Sequence, residues 1–176
     1  MGRFEKLNDD IQELADKILA DQDLCKLIHY PENNPLEQPN INGKKHILDK
    51  RLLLFTPKIP LADASNNTQD HGTYVTIRPT RLRPSKGGNY IISLLCFDIY
   101  CHKDVRPIYY KDKDDNDKNG DRAILIMDRI EELMDGVNFS IGKDNLDGAG
   151  EIANSNTTFS GYTIAYTDVD FRNQGK

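Results

Sequence analysis

At 176 residues, with 38% hydrophobic residues and no tryptophan, the chain has the length of one domain but a modest supply of core-forming side chains. A formal net charge of −5 argues against a general nucleic-acid binder, while leaving room for a local basic face. No run approaches the roughly eighteen apolar residues of a membrane span, and the charged start "MGRFEKLNDD" lacks a signal peptide's apolar region, so a soluble protein made in a cytoplasm is expected.

Residues 8 to 29 predict a first helix. Asn8 or Asp9 is the expected cap, Glu13 stands near the capping-box position, and Ile11, Leu14, Ala15, Ile18 and Leu19 form an apolar stripe. Leu24, Leu27 and Ile28 continue it, or form a short second helix after Asp23. "YPENNPLEQPNINGKK" is dense in Pro, Asn and Gly. It predicts an extended arm or loop over 31–60, unusual inside a compact domain unless it carries function. The run "KRLLLFTPKIPL", ended by prolines, reads as an edge strand or part of that arm.

A β-hairpin is predicted over 73–102, with "TYVTIRPTRLR" and "NYIISLLCFDIYCHKDV" flanking the turn "PSKGG". In the second arm Ile91, Ser93, Leu95, Phe97, Ile99 and Cys101 share one face, and Ile92, Leu94, Cys96, Asp98, Tyr100 and His102 the other. Both faces are largely apolar near its start, which predicts a central strand buried on two sides. Pro79 marks the first arm as nearer an edge, or bulged.

The stretch "KDKDDNDKNGDRAILIMDRIEELMDGV" contains Asp115-x-Asp117-x-Asn119-Gly120, the first half of an EF-hand calcium loop. Over 115–126 the pattern then fails. Ile126 stands where calcium needs a bidentate Glu, Arg122 is a cation within the loop, and no helix leads in. The loop is read as the entrance to a helix over 121–135, with Asn119, Gly120 or Asp121 at its cap. Ile126, Met127, Ile130, Leu133 and Met134 form its stripe, broadened by Ile124, Leu125 and Val137. A short strand near 138–146, a polar loop over 146–158 and a terminal strand over 159–171 follow. The expectation is a single α+β domain over 1–176. It is a two-layer sandwich of a mainly antiparallel sheet, with a long β-hairpin and two helices on one face.

No catalytic, cofactor-binding or metal-ligating residue is assigned, and the chain is expected not to be an enzyme. His29, His46, His71 and His102 are the groups suited to proton transfer near neutral pH, but none sits in a recognisable nucleophile or metal motif. Cys101 and His102 point to opposite strand faces, as do Cys96 and Cys101. With Cys25 these make three cysteines and no CxxC, so buried reduced thiols are expected. Asp98, on an otherwise apolar strand, calls for a basic partner across the sheet or across a subunit boundary. The basic cluster Arg78, Arg81, Arg83 and Lys86 runs to the hairpin tip and suits an acidic partner or DNA phosphates. The plainer reading is a charged hairpin that discourages edge pairing. Two readings of other classes stand beside these: a calcium-responsive binding module on loop 115–126, and a small enzyme around Asp98 and His102.

The order helix, long hairpin, helix, strand over about 8–171 resembles the tail-terminator and neck (head–tail joining) proteins of tailed bacteriophages. "LCKLIHYPENNPLEQPNI" and "KRLLLFTPKIPL" are similar to structural proteins of the phage neck and tail. The resemblance implies a homo-oligomeric ring, usually a hexamer, located in the virion at the tail end or beneath the portal and its adaptor. Its partners would be adjacent neck, portal-adaptor or tail-tube proteins, with genomic DNA in the channel as a further contact and no membrane. The family carries no catalytic residues. The arm over 31–60 and the loop over 146–158 depart from the smaller terminators.

Overall fold

The computed structural model describes residues 3–55, 71–84, 90–112, 114–135, 138–139, 142–152 and 158–171. Two helices, α1 (Arg3–Ala20) and α2 (Gln22–His29), occupy the region read as one helix or as a helix followed by a short second one. Helix α1 begins before Asn8, so neither Asn8 nor Asp9 is its cap. The break falls at Asp21, whose backbone is extended and whose Oδ1 accepts the Leu24 N–H at 2.9 Å. A carboxylate that satisfies a first-turn donor starts a new helix more readily than it continues the old one.

The predicted arm folds back over its described part. A 3-10 turn (Pro35–Glu37) and a one-turn helix α3 (Gly43–His46) lie against α1 and α2. The Gln22 side chain bonds both the N–H and the carbonyl of Ile41, and Lys26 Nζ donates to the Leu36 carbonyl. Ile47 and Leu52 are fully buried, which anchors the segment in the core. Residues 56–60 of the predicted arm lie outside the described residues.

The main sheet has six strands in the order β1-β2-β3-β8-β7-β6. They are β1 (Leu52–Leu54), β2 (Thr73–Pro84), β3 (Tyr90–His102), β6 (Asn138–Phe139), β7 (Gly142–Glu151) and β8 (Phe159–Phe171). Only β1 against β2 is parallel; the other pairs are antiparallel. The expected central strand is β3, held between β2 and β8, and the expected irregularity at Pro79 is a register shift between Pro79 and Arg81. Gly161 of β8 is needed for the β3 contact, because a Cβ there would stand 1.7 Å from the Ile99 carbonyl oxygen.

Two strand features depart from the sequence reading. β7 runs through much of the stretch expected to be a polar loop, and its residues 146–151 are exposed. A small ribbon of β4 (Pro107–Lys111) and β5 (Asp117–Asp121) occupies the approach to the second predicted helix. That helix, α4 (Arg122–Met134), is capped by Asp121, whose Oδ1 accepts the Ala123 N–H at 2.9 Å.

Helices α1, α2 and α4 share one core with one face of the sheet. Ile11, Leu14 and Ile18, Leu24 and Ile28, and Ile126 and Ile130 meet Val75, Ile77, Phe97, Ile99 and Ile164. Each such side chain adds roughly 1.5–3 kcal/mol by leaving water. Ile124, counted in the broadened stripe, is instead half exposed; Val137 lies outside the described residues. The opposite sheet face carries a smaller cluster of Tyr100, Ile152 and Phe159 with Leu53 and Tyr74. The fold is the expected two-layer α+β sandwich, with three helices rather than two on the covered face.

One residue binds these parts together. Arg122, at the first position of α4, is 0% exposed. Its guanidinium donates to the carbonyls of Val105, Leu27, Tyr30 and Glu32 at 2.5–2.8 Å. It therefore joins α4, the β3–β4 turn and the carbonyl-rich end of α2, where cations are favoured. Burial away from water pulls its pKa below the ordinary arginine range.

Candidate interaction surface

Asp98 finds its basic partner across the sheet, within the chain. Arg78 Nε and Nη2 lie 2.6 and 3.2 Å from its two oxygens, and the Thr163 and Thr76 hydroxyls complete the set at 2.7 and 3.3 Å. Thr76 and Thr163 face Asp98 in register from the two flanking strands. Asp98 is 2% exposed, so the charge is buried and paired, and its hydrogen bond holds the Arg78 pKa above the usual value. The Arg78 guanidinium, expected as a partner contact, is engaged inside the sheet by this pair. Arg81 and Arg83 lie on the backbone of β2 beyond the bulge, their side chains outside the described residues, as is Lys86 altogether.

The segment 115–126 does not fold as a calcium loop. Asp117 and Asn119 belong to β5, and residues from Arg122 onward to α4. The turn before β5 is anchored by Asp112, whose Oδ1 accepts the Asp114 and Asn116 N–H groups at 2.9 Å each. Those hydrogen bonds, Asn116 first, hold the Asp112 carboxyl below the ordinary carboxylate range. Asp115, in left-handed backbone at φ 63°, pairs with Lys111 at 2.8 Å.

Asp98 and His102 share a face of β3 but are not brought together. Four residues along a strand span about 13 Å, and Tyr100 stands between them. His102 stacks instead on His71, ring centroids 4.2 Å apart, and meets Phe159 edge-on. All three cysteines are buried and unlinked. Burial pushes the Cys25 thiol up to about 11 and the Cys101 thiol up to about 12. His29 and His46 meet edge-on at 5.4 Å, and burial lowers the His29 pKa.

The sheet margins hold a feature that motif searching did not reveal. Strand β1 covers only Val75 to Ile77 of β2, so residues 78–84 have no outer strand partner among the described residues. On the other margin β6 covers Gly142 and Lys143, which leaves 144–151 of β7 likewise open. Beyond the Asp98-bound Arg78, the first open edge carries Arg81 and Arg83; the second carries Asp144, Asp147 and Glu151. Leu146, on the acidic edge, is 51% exposed. The antiparallel pairings β2–β3, β3–β8 and β8–β7 make β7 run opposite to β2.

The sequence model of the YomW family matches residues 21–167, from the cap of α2 into β8. The chain belongs to the YomW family. That family is phage-derived and Bacillus prophage-like, and this YomW-family protein is phage-associated. Comparison with curated proteins gives no match. The span shared with YomW contains Asp98 and its partners, the Arg122 clamp and both open edges, but excludes α1. Among the described residues of this YomW-family chain, no helix is long and apolar enough to cross a membrane.

Proposed function

We propose that this phage-associated protein is a virion structural subunit that closes into a homo-oligomeric ring, a hexamer, at the head–tail neck or tail end. The ring terminates or joins the tail and leaves a channel for DNA. The observation that carries the reading is the pair of sheet edges, one basic and one acidic in sequence, that lack an outer strand among the described residues and run with opposite strand sense. Placing β7 of one subunit beside β2 of the next continues the alternation up, down, up, down through every subunit. A head-to-tail contact of that kind closes into a ring when its rotation closes. Backbone pairing supplies the adhesion, and Arg81 and Arg83 set against Asp144, Asp147 and Glu151 supply the register.

Such a role is mechanical and uses no catalytic group or cofactor. The basic end of the hairpin, with Arg81, Arg83 and Lys86, would meet the adjacent neck, portal-adaptor or tail-tube protein, and the channel wall would meet the genome in passing. The test is a charge swap read by negative-stain imaging and light scattering. The native chain should form rings. Reversing Asp144, Asp147 and Glu151 to Lys should give monomers, and adding Arg81→Glu and Arg83→Glu should restore rings. A monomeric native chain, or rings indifferent to the first reversal, would overturn the proposal.

A further inference from the structure

We propose that His71, His102 and Asp104 form a binding site for one transition-metal ion of the zinc class. The three side chains converge at the end of the sheet. His71 Nδ1 and His102 Nδ1 each lie 3.6 Å from the same Asp104 oxygen, and the three ligand atoms all fall within 4.8 Å of one another. Ligand atoms bound tetrahedrally at about 2.0–2.2 Å stand roughly 3.3–3.6 Å apart. Two of the three separations are therefore already near those of a bound set. The remaining adjustment falls to His71, whose side chain is 45% exposed and whose ring must turn out of its stack on His102 to aim Nδ1 at a shared ion.

The backbone holds these groups in place. The His102 N–H donates to the Gly72 carbonyl at 3.0 Å, which fixes the residue next to His71 against the end of β3. The Val105 N–H returns to the His102 carbonyl at 3.1 Å and the Lys103 N–H reaches the Thr158 carbonyl at 2.9 Å, so the turn that presents Asp104 is tied on both sides. The buried His102 ring sits between the edge-on Phe159 and the stacked His71. An ion pair would need a single imidazole at this carboxylate. Two are present, both turned to it by Nδ1. On binding, the metal replaces the Asp104 N–H contact to His102 Nδ1, a long bond at 3.2 Å.

The donor set selects the ion. Two imidazoles and one carboxylate suit zinc, cobalt or nickel, with a further position for water or an incoming ligand. Calcium and magnesium, which want an all-oxygen shell, are disfavoured. A metal here would pin the start of β2 to the β3–β4 turn, beside the sheet end that lies away from the hairpin tip.

The test uses the tag-free full chain titrated with cobalt(II), with zinc as competitor. The expected result is one cobalt per chain, bound more tightly than about 10 µM, with visible d–d bands that zinc abolishes. A hundred-fold excess of zinc over Kd should raise the Tm by roughly 5–10 °C. His71→Ala and Asp104→Asn, both at exposed side chains, should keep the native circular dichroism and lose the bands, whereas His46→Ala should keep them. Sub-stoichiometric binding without d–d bands would overturn the proposal. So would bands that survive His71→Ala.

Discussion

Replacing Arg122 by methionine tests the central claim about how this chain is held together. The substitution keeps much of the aliphatic stem and removes all four donated hydrogen bonds. Hydrogen bonds from a charged donor are worth about 1.5–3 kcal/mol each, so a simple sum would approach the whole stability of a domain, about 5–15 kcal/mol. That sum overstates the loss. The Tyr30 and Glu32 carbonyls are partly buried and can turn to water, and losing a buried cation relieves its desolvation. The Val105 and Leu27 carbonyls stay buried and lose their guanidinium donor, at about 1–3 kcal/mol apiece. The expected net cost is about 3–5 kcal/mol, read as a fall in the urea midpoint at constant m-value. Arg122→Lys retains the charge but cannot span four carbonyls in a fork, so it should recover less than half. The contrasting variant is Arg129→Met, which loses the Asp21 and Glu132 pairs on a half-exposed face and should cost about 1 kcal/mol. A midpoint for Arg122→Met within about 1 kcal/mol of native, or complete rescue by lysine, would refute the clamp.

Arg78→Met should cost about 3 kcal/mol by stranding the buried Asp98 carboxylate, and adding Asp98→Leu should recover most of the loss in a double-mutant cycle; equal costs for single and double variants would contradict the pairing. Gly161→Ala should lower the Tm by at least about 6 °C, because its Cβ meets the Ile99 carbonyl and must part β3 from β8; a native melting curve would show the strands can yield. Cys25 and Cys101 should resist a thiol reagent at pH 8 in the folded chain and react fully in urea, since burial holds both as thiols. The same shifts set a sign for pH. Above about 9 the unfolded chain releases these protons while the folded chain keeps them, so the urea midpoint should fall from pH 9 toward 11; a rising midpoint would show that the thiols are not held protonated by the fold.

How much of this was legible depends on which residues carry a pattern. The α4 stripe and the alternation along β3 could be read because burial on one or two faces leaves a period, and Pro79 announced its bulge. Asp98 could be flagged as needing a partner, though the choice of Arg78 depends on strand register. The second half of strand β7 could not be seen: its residues 146–151 are all exposed, so nothing alternates, and its Gly and Asp content imitates a loop. The β4–β5 ribbon was hidden for a similar reason, behind a charged turn that mimics a calcium loop. Arg122 did leave a sign that went unread. It lies four residues before Ile126 and eight before Ile130, on the same buried stripe, where a solvated arginine has no place. The convergence of His71 with His102 and Asp104 follows from the β2–β3 pairing alone and has no local signature.

Strand β8 is made late and placed in the middle, between β3 and β7. On the ribosome the β2–β3 hairpin therefore emerges with the inner edge of β3 unfilled. At about 5–20 residues per second, the fifty-odd residues from the end of β3 to the start of β8 take on the order of 3–10 s to synthesise. During that interval an apolar strand edge waits for a partner from its own chain, and neighbouring nascent chains offer the same edge. The sheet is continuous from β2 to β7 only once this insertion is done. Synthesis of the chain thus acts as a timer for completion of its own sheet.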